Sequence, residues 1–163
     1  MEKHVTTTHV SIRVEDYISF HQPWFEKLNR AWIEEHFWME PIDFQVLQHP
    51  EEYIIAHGGA ILMAYVDKEI AGTVALKYVQ EGVYEFTKMA VDEKFRGMKV
   101  GQALAEAAIL KAKSKGARKI ILYSSTKLKP ALALYRKIGF VDVPVDGPYK
   151  RSDVKMELSL FEL

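Results

Sequence analysis

The sequence predicts an α/β (α+β) fold, in which a mixed, mostly antiparallel sheet of about seven strands carries helices on both faces. Short segments rich in β-branched and aromatic residues recur along the chain and indicate strands. Segments with apolar side chains at helical spacing separate them. The connections between the middle strands are short, which favours antiparallel pairing. No internal repeat or linker divides the chain, so we expect a single domain over residues 1–163.

The first third of the chain predicts one strand followed by helices. Residues 5–14 alternate in polarity and are rich in β-branched side chains, which indicates a strand. Residues 16–37 carry apolar side chains at helical spacing, which indicates a helix. Residues 41–57 predict one or two short helical pieces broken at Pro50.

Three strands in close succession form the middle of the chain. They are expected at Ala60–Val66, Glu69–Val79 and Val83–Val91. Asp67 and Lys68 separate the first two strands and predict a tight hairpin turn. We therefore expect an antiparallel three-stranded core of the sheet.

Helices and strands alternate in the last third. Residues 100–115 predict a helix that ends at a left-handed cap on Gly116. Lys129–Ile138 predicts a second helix, with Pro130 in its first turn and a glycine at its end. The remaining strands are expected at Lys119–Ser124, Phe140–Val143 and Val154–Leu160.

Composition excludes several classes of function. Twenty-two basic and 22 acidic side chains cancel, so neither nucleic acid nor an anionic membrane is expected as a partner. The absence of cysteine excludes disulfides, thiolate zinc sites and a cysteine nucleophile. The six histidines are scattered without an H-E-x-x-H pair, so no metal is expected. The start of the chain lacks the apolar core of a signal peptide, and its longest apolar stretch, Ala60–Val66, is too short to span a membrane. We expect a cytoplasmic protein.

The junction between the third strand of the middle group and the following helix has the chemistry of a phosphate site. Gly97 and Gly101 let backbone N–H groups converge without side chains between them. The positive end of the helix dipole favours an anion at the same place. Two standard phosphate motifs are missing, because the chain has neither G-x-G-x-x-G nor the lysine of the nucleoside-triphosphate loop.

This junction resembles the pyrophosphate-binding signature of the GNAT family of N-acetyltransferases, Q/R-x-x-G-x-G/A. Arg96 matches its first position and Gly101 its last, whereas Lys99 replaces a glycine. Residues 131–140 (ALALYRKIGF) resemble the second family signature, A-x-x-L-Y-x-K-x-G-F, at every fixed position. The signatures lie in the family's order and spacing, and the likeness is strongest over residues 60–143.

The resemblance implies that acetyl-CoA (coenzyme A) binds in a central sheet splayed near its middle. The amides that would wrap the pyrophosphate belong to Arg96, Gly97, Met98, Lys99, Val100, Gly101, Gln102 and Ala103. A bulge at Met89, Ala90 and Val91 would open the strand to the pantetheine arm and leave an amide for the carbonyl oxygen of the thioester. Ser125 stands where the family often has an asparagine that reaches the pantetheine, a second departure.

Tyr135 matches the tyrosine of the second signature, which implies contact with the cofactor and a role as general acid. A coenzyme A thiol should titrate near a cysteine thiol, with a pKa of about 8.5, and a tyrosine near 10 can return that proton. The alternative interpretation is a half-buried tyrosine that packs a helix against the sheet.

Glu85 lies five residues before Ala90, where many family members place a carboxylate base. An alkylamine is almost wholly protonated at neutral pH, so some group must accept a proton. The alternative is an exposed strand glutamate paired with Lys77 or Lys88. Asp153 is a weaker candidate for the base.

These features predict a transferase that moves the acetyl group of acetyl-CoA to a primary amine of a small molecule or peptide. Direct attack in a ternary complex is favoured, because the chain has no cysteine and no G-x-S-x-G elbow to form an acyl-enzyme. A non-catalytic acyl-CoA-binding or sensor module is the alternative, for which Lys99 and Ser125 leave room, and a protein-interaction domain is a third hypothesis. Homodimers are common in the family, and the acceptor amine is left open.

Overall fold

A seven-stranded sheet organises the chain in the computed structural model, which describes residues 11–147, 149 and 151–160. The strands are β1 (Ile12–Asp16), β2 (Ala60–Val66), β3 (Glu69–Gln80), β4 (Val83–Val91), β5 (Lys119–Ser124), β6 (Val141–Val143) and β7 (Val154–Ser159). Their order across the sheet is β1-β2-β3-β4-β5-β7-β6. In the described sheet all neighbouring strands are antiparallel except β4 and β5. The predicted mixed, mostly antiparallel sheet is confirmed.

Helices cover both faces of this sheet, as predicted. They are α1 (Gln22–His36), α2 (Pro41–Gln48), α3 (Pro50–Tyr53), α4 (Val100–Ser114) and α5 (Lys129–Ile138), with 3₁₀ turns at Ser19–His21, Ile55–His57 and Glu93–Phe95. One core holds buried residues of α4 and α5, and a second holds those of α1 and α2 on the opposite face. Among the described residues, no helix is long and apolar enough to cross a membrane.

The N-terminal elements differ from the prediction in their bounds. Residues 5–10 of the predicted first strand lie outside the described residues, and β1 extends to Asp16, which pairs with Leu62. The first helix therefore cannot begin at residue 16. It begins instead at Gln22 after a 3₁₀ turn, with Pro23 in its first turn, where a proline loses no hydrogen bond.

A bulge interrupts the pairing of β3 with β4. One residue of β3, Val74, lies opposite two residues of β4, Lys88 and Met89, and Lys88 has a φ of 55°. The extra residue changes which face each later side chain occupies. Met89 packs into the core on the α4 face, which Tyr84 and Phe86 also occupy. Because of the bulge, the Lys88 side chain does not lie on the α4 face, where strict alternation would place it.

The sheet splays beyond this pairing, as the resemblance implies. β4 pairs with β5 only from Val83 to Glu85, against Lys119 to Ile121. The rest of β5 continues to pair with β7. Within the part of the chain that the structure describes, residues 86–91 of β4 therefore have no strand partner on the β5 side, and a gap opens between two parallel strands.

Gly72 of β3 lets the start of α4 lie close to the sheet. A Cβ atom there would lie 3.0 Å from the Ala90 carbonyl oxygen and 3.0 Å from Cδ1 of Leu104. We expect Gly72→Ala to lower the free energy of unfolding by about 1–3 kcal/mol, because the core must shift to admit the methyl group. Urea denaturation followed by circular dichroism measures this change.

Gly101→Ala is the matched control for Gly72→Ala. A Cβ atom at Gly101 would meet its nearest neighbour, Cδ2 of Leu134, at an ordinary 3.6 Å. Its stability should change by less than about 1 kcal/mol, and alanine's helix propensity favours a gain. Equal stability of the two variants would contradict the close packing inferred at Gly72.

Candidate active site

The loop between β4 and α4 presents a run of unpartnered backbone amides. Within the described residues, the N–H groups from Gly97 to Gln102 donate to no acceptor. At one end of the run, the Arg96 amide donates to the Glu93 carbonyl, with N and O 3.3 Å apart. At the other end, the Ala103 amide donates to the Lys99 carbonyl at 3.1 Å. The run of free amides thus covers Gly97–Gln102, whereas the two end amides of the predicted segment Arg96–Ala103 already have acceptors within the protein.

This geometry suits a bound anion. Six successive amides at a helix N-terminus supply donors together with the positive end of the helix dipole. Gly97 has a φ of 83° and nothing within 4 Å of the place where a Cβ would stand. The pyrophosphate of coenzyme A is a multivalent acceptor that fits such a donor set.

Lys99 adopts the conformation that explains the glycine of the family signature. Its φ is 68°, in the left-handed region where a side chain costs about 1–2 kcal/mol. The side chain is exposed at the N-cap of α4. The backbone of Lys99 is therefore strained, and its side chain places a positive charge beside the free amides.

Lys99→Gly should separate these two effects. We expect the free energy of unfolding to rise by about 1 kcal/mol, because glycine relieves the left-handed strain. Affinity for coenzyme A should fall by about two- to fivefold and become less sensitive to salt, because an exposed charge is lost. Denaturation and isothermal titration calorimetry at two salt concentrations measure the two effects.

Asp67→Gly is the control for Lys99→Gly, since Asp67 has a φ of 54° in the β2–β3 turn. This variant should gain stability by a similar or smaller amount and keep its affinity for coenzyme A. If Lys99→Gly binds coenzyme A with unchanged affinity, Lys99 does not contribute to the predicted phosphate site.

The Arg96 side chain contacts another part of the protein. Its guanidinium makes two hydrogen bonds to the Glu35 carboxylate of α1, at 2.8 and 3.2 Å. This hydrogen-bonded pair lowers the pKa of Glu35. Both side chains are exposed, so the pair adds little stability. It does connect α1 to the β4–α4 loop that carries the free amides, which we call the amide loop. The Arg96 side chain thus holds the amide loop in place against α1.

Tyr135 lies in the core beside the gap. Its ring packs edge-to-face on Phe86, with centroids 5.6 Å apart, and Phe86 is the first residue of β4 beyond the part paired with β5. Burial raises the pKa of Tyr135 well above its ordinary value. Its hydroxyl has no hydrogen-bond partner in the described part of the chain. The side chain is buried, whereas the alternative interpretation expected a half-buried tyrosine. The buried hydroxyl is therefore a protonated donor without an acceptor among the described residues.

Glu85 occupies the opposite face of β4, at the last residue paired with β5. Only 5% of it is exposed, so the alternative of an exposed surface glutamate is wrong. Burial raises the pKa of Glu85, while the Tyr149 hydroxyl, which donates to it at 3.0 Å, and the charges of Lys77 and Lys88 act in the other direction. Neither lysine makes an ion pair with it within the described residues. A buried carboxyl group with a raised pKa is common among catalytic groups, and the role of Glu85 as the base stays a prediction.

Ser125 and Asp153 stabilise the loop after β5. The buried Ser125 hydroxyl accepts a hydrogen bond from the Lys127 amide at 3.2 Å. The exposed Asp153 carboxylate accepts from the amide and the hydroxyl of Thr126, both at 2.9 Å, and these bonds lower its pKa. Asp153 is therefore a poor base at neutral pH. Ser125 lies at the carboxyl end of β5, beside the gap.

Among the charged residues near Glu85, the sequence analysis named Lys88 only as a possible partner and missed Arg151 and Asp43. Arg151 makes an ion pair with the buried Asp43 of α2 at 3.2 Å and donates to the Trp38 carbonyl at 2.6 Å. Lys88 senses the charges of both Asp43 and Glu85. Only Lys88 gave a signal in the sequence, because alternation would place a lysine in the core and thus required a bulge. Arg151 and Asp43 lie 108 residues apart, and no local pattern connects them.

The two candidate catalytic groups approach the gap from opposite faces of the sheet. Tyr135 lies on the face of α4 and α5, whereas Glu85 lies on the face of α1 and α2. Between them runs the unpaired edge of β4 at Met89 and Ala90. The roles of Tyr135 as acid and Glu85 as base stay predictions, with which this placement agrees. The described residues hold no group of three or more His, Asp or Glu side chains that could bind a metal, and His4 and His9 lie outside them.

Several solved acetyltransferases share this fold. The chain is similar to an acetyltransferase of the GNAT family from Staphylococcus aureus Mu50, with a TM-score of 0.83, 19% identity and coverage of 93% of this chain and 100% of the other. It is also similar to the PaiA N-acetyltransferase from Thermoplasma acidophilum, solved in complex with coenzyme A, with a TM-score of 0.71, 20% identity and coverage of 91% and 99%. These likenesses show the fold.

Curated relatives resemble only part of the chain. A mycothiol acetyltransferase of Clavibacter michiganensis is 34% identical over 92 residues, which are 56% of this chain and 30% of that protein. A mycothiol acetyltransferase of Corynebacterium glutamicum is 30% identical over 80 residues, which are 49% of this chain and 27% of that protein. The chain thus spans less than a third of the length of these relatives.

The sequence pattern of the Acetyltransferase (GNAT) family matches residues 17–140, which run from the end of β1 to the start of β6 and include the amide loop, the splayed strands and Tyr135. This match covers more than half of the chain. The protein belongs to the GNAT acetyltransferase family.

Proposed function

We propose that this protein transfers the acetyl group of acetyl-CoA to a primary amine of a small molecule or peptide, by direct attack in a ternary complex. The observation that carries the proposal is the run of free amides from Gly97 to Gln102 beside a gap between β4 and β5. A diphosphate with an extended thioester arm needs these two features side by side. Family membership supports the same chemistry.

Binding of acetyl-CoA would use backbone groups for the most part. The free amides would donate to the pyrophosphate, and Lys99 would add a positive charge. The pantetheine arm would lie along the unpaired edge of β4, at Met89, Ala90 and Val91, and take the place of a neighbouring strand. Ser125 and Tyr135 would border the arm from the β5 side of the gap.

Transfer requires the movement of two protons. Glu85, directly or through a water molecule, would take a proton from the ammonium group of the acceptor, and the free amine would then attack the thioester carbonyl carbon. A backbone N–H at Met89 or Ala90 would stabilise the negative charge that develops on the carbonyl oxygen, typically by about 2.7–4 kcal/mol. The C–N bond forms, the C–S bond breaks, and Tyr135 supplies the proton that the thiolate needs. The nitrogen loses its second proton to restore Tyr135, and Glu85 releases one proton to solvent.

A small-molecule acceptor is supported by the mycothiol acetyltransferases that resemble part of the chain. The covered segment of those relatives is short, so their name does not fix the acceptor here. The charges around Glu85 are a better guide to the chemistry of the acceptor.

The proposal is tested in two steps. Isothermal titration calorimetry with coenzyme A should show one site, and purified protein given acetyl-CoA should release free thiol when a suitable amine is added from a broad panel. Binding without turnover of any amine would contradict the transferase and favour the acyl-CoA-binding module. Failure to bind coenzyme A would contradict both.

A further inference from the structure

Lys88 is an ammonium group without a partner near the proposed base. The bulge in β4 turns its side chain to the face of Glu85, where it is half-buried. It makes no hydrogen bond or ion pair within the residues that the structure describes. The charges that act on it are those of Asp43, Glu85, Arg151 and Lys77.

The two carboxylates near Lys88 already have other partners. Asp43 accepts hydrogen bonds from Arg151 at 3.2 Å and from the Glu40 amide at 2.8 Å. Glu85 accepts a hydrogen bond from Tyr149. Burial lowers the pKa of Lys88, and the charges of Asp43 and Glu85 offset this effect only in part, so a further anion would stabilise the ammonium.

Other cations border the same region. The Phe37 ring lies 4.6 Å from Nζ of Lys127 and 5.7 Å from the guanidinium carbon of Arg151. The Lys127 ammonium donates only to the His36 carbonyl among the described residues, and the Asp153 carboxylate near it accepts hydrogen bonds from Thr126. Around Lys88 and Glu85, three basic side chains, Lys77, Lys88 and Arg151, therefore stand against the two carboxylates of Asp43 and Glu85. The charge of Lys127 acts instead on Asp153.

The proposed reaction does not remove this imbalance. When Glu85 takes a proton from the acceptor, both groups become neutral, so the net charge of the site is unchanged and the positive charges of Lys77 and Lys88 persist. A polyamine would bring further positive charge to the same place and be repelled. An acceptor with its own negative charge would restore the balance.

We propose that the acetyl acceptor is a free amino acid, whose carboxylate lies next to the reacting amine, and that Lys88 binds this carboxylate. The inference rests on the proposed function and specifies its substrate class. Glu85 and Lys88 lie three residues apart on β4, on one face of the sheet beside the gap, so one short molecule can reach both.

Matched substrates test the inference. Amino acids and their carboxamides have nearly the same shape but differ in the negative charge, and spermidine represents the polyamines. With acetyl-CoA as donor, we expect amino acids to exceed their carboxamides in kcat/KM by about ten- to a hundredfold, because a charge-assisted hydrogen bond is lost. Equal or faster turnover of carboxamides or spermidine would overturn the inference.

Variants assign the effect to Lys88. In Lys88→Gln, KM for the amino acid should rise by about tenfold or more while KM for the carboxamide stays unchanged, and Lys88→Arg should retain part of the preference. Lys68→Gln, in the exposed β2–β3 turn, is the matched control and should behave as the wild type. If Lys88→Gln slows both substrates equally, Lys88 acts in chemistry or folding and the inference is wrong. Lys88→Met replaces the glutamine variant if that variant does not fold.

Failure of the proposed function has a different signature. No amine is then acetylated although coenzyme A binds. Calorimetric titration of amino acids into the protein saturated with coenzyme A would still decide the role of Lys88, because binding that is weakened in Lys88→Gln supports it and binding that is absent or unchanged in that variant overturns it.

Discussion

Tyr135→Phe is expected to lower kcat about a hundredfold while the protein remains as stable as the wild type or becomes more stable. We expect this loss because the variant has no general acid, and proton transfer from a positioned side chain typically raises the rate about 10²–10⁴-fold. A coenzyme A thiolate is a fairly good leaving group, which favours the lower end of this range. The buried hydroxyl has no partner among the described residues, so its removal relieves a desolvation cost.

Steady-state kinetics with acetyl-CoA and the best amine, together with thermal melting, measure both effects. Tyr84→Phe is the matched control, because Tyr84 lies buried in the same core but in the part of β4 that pairs with β5. Its kcat should not change. A Tyr135→Phe enzyme that keeps most of its kcat would show that the tyrosine only packs against Phe86.

Burial of Tyr135 also predicts the form of the alkaline pH profile. Its raised pKa keeps the hydroxyl protonated throughout the neutral range and well into the alkaline range. Any fall of kcat between about pH 8 and 10 must then come from another group. A wild-type and a phenylalanine variant with parallel profiles over this range would agree with the assignment.

The sequence predicted those parts of the fold that local patterns determine. The three middle strands, α4, α5 and their glycine ends were found because apolar periodicity and turn residues coincide there. The splay and the bulge came from the family resemblance, since no local propensity distinguishes a strand that loses its neighbour. Position 88 carries an internal sign of the bulge, because strict alternation would place its lysine on the core face with Tyr84 and Phe86.

The electrostatic part of the site depends on contacts that are distant in sequence. Tyr149 reaches Glu85 across 64 residues, and Arg96 reaches Glu35 across 61. Side chains of this kind are surface residues by composition and become site residues only through the topology. The narrowing of the free amides to Gly97–Gln102 likewise follows from hydrogen bonds of the turn, which the signature does not encode.

Glu85→Gln is expected to lower kcat/KM at neutral pH by about 10²–10³-fold, because the group that takes the proton of the ammonium is lost. The defect should shrink as the pH approaches the pKa of the amine, since solution then supplies the neutral nucleophile. The acid limb of the wild-type profile should lie above the ordinary pKa of a glutamate, because burial raises the pKa of Glu85. Kinetics from pH 5 to 10 with one amine measure these effects, and a variant that retains the acid limb would assign the base to another residue.

The same substitution has a predicted effect on stability whose sign follows from linkage. Since the pKa of Glu85 is higher in the folded than in the unfolded chain, the folded state binds more protons between the two values, and its stability falls as the pH rises through that window. Glutamine can still accept the Tyr149 hydrogen bond but carries no charge. Glu85→Gln should therefore melt at a higher temperature than the wild type at neutral pH and at the same temperature below the unfolded pKa, whereas the exposed Glu81→Gln should show no such difference. A glutamine variant that is inactive, more stable and unchanged in affinity for coenzyme A would show that the buried charge is maintained for catalysis, whereas a less stable variant would make Glu85 a structural residue.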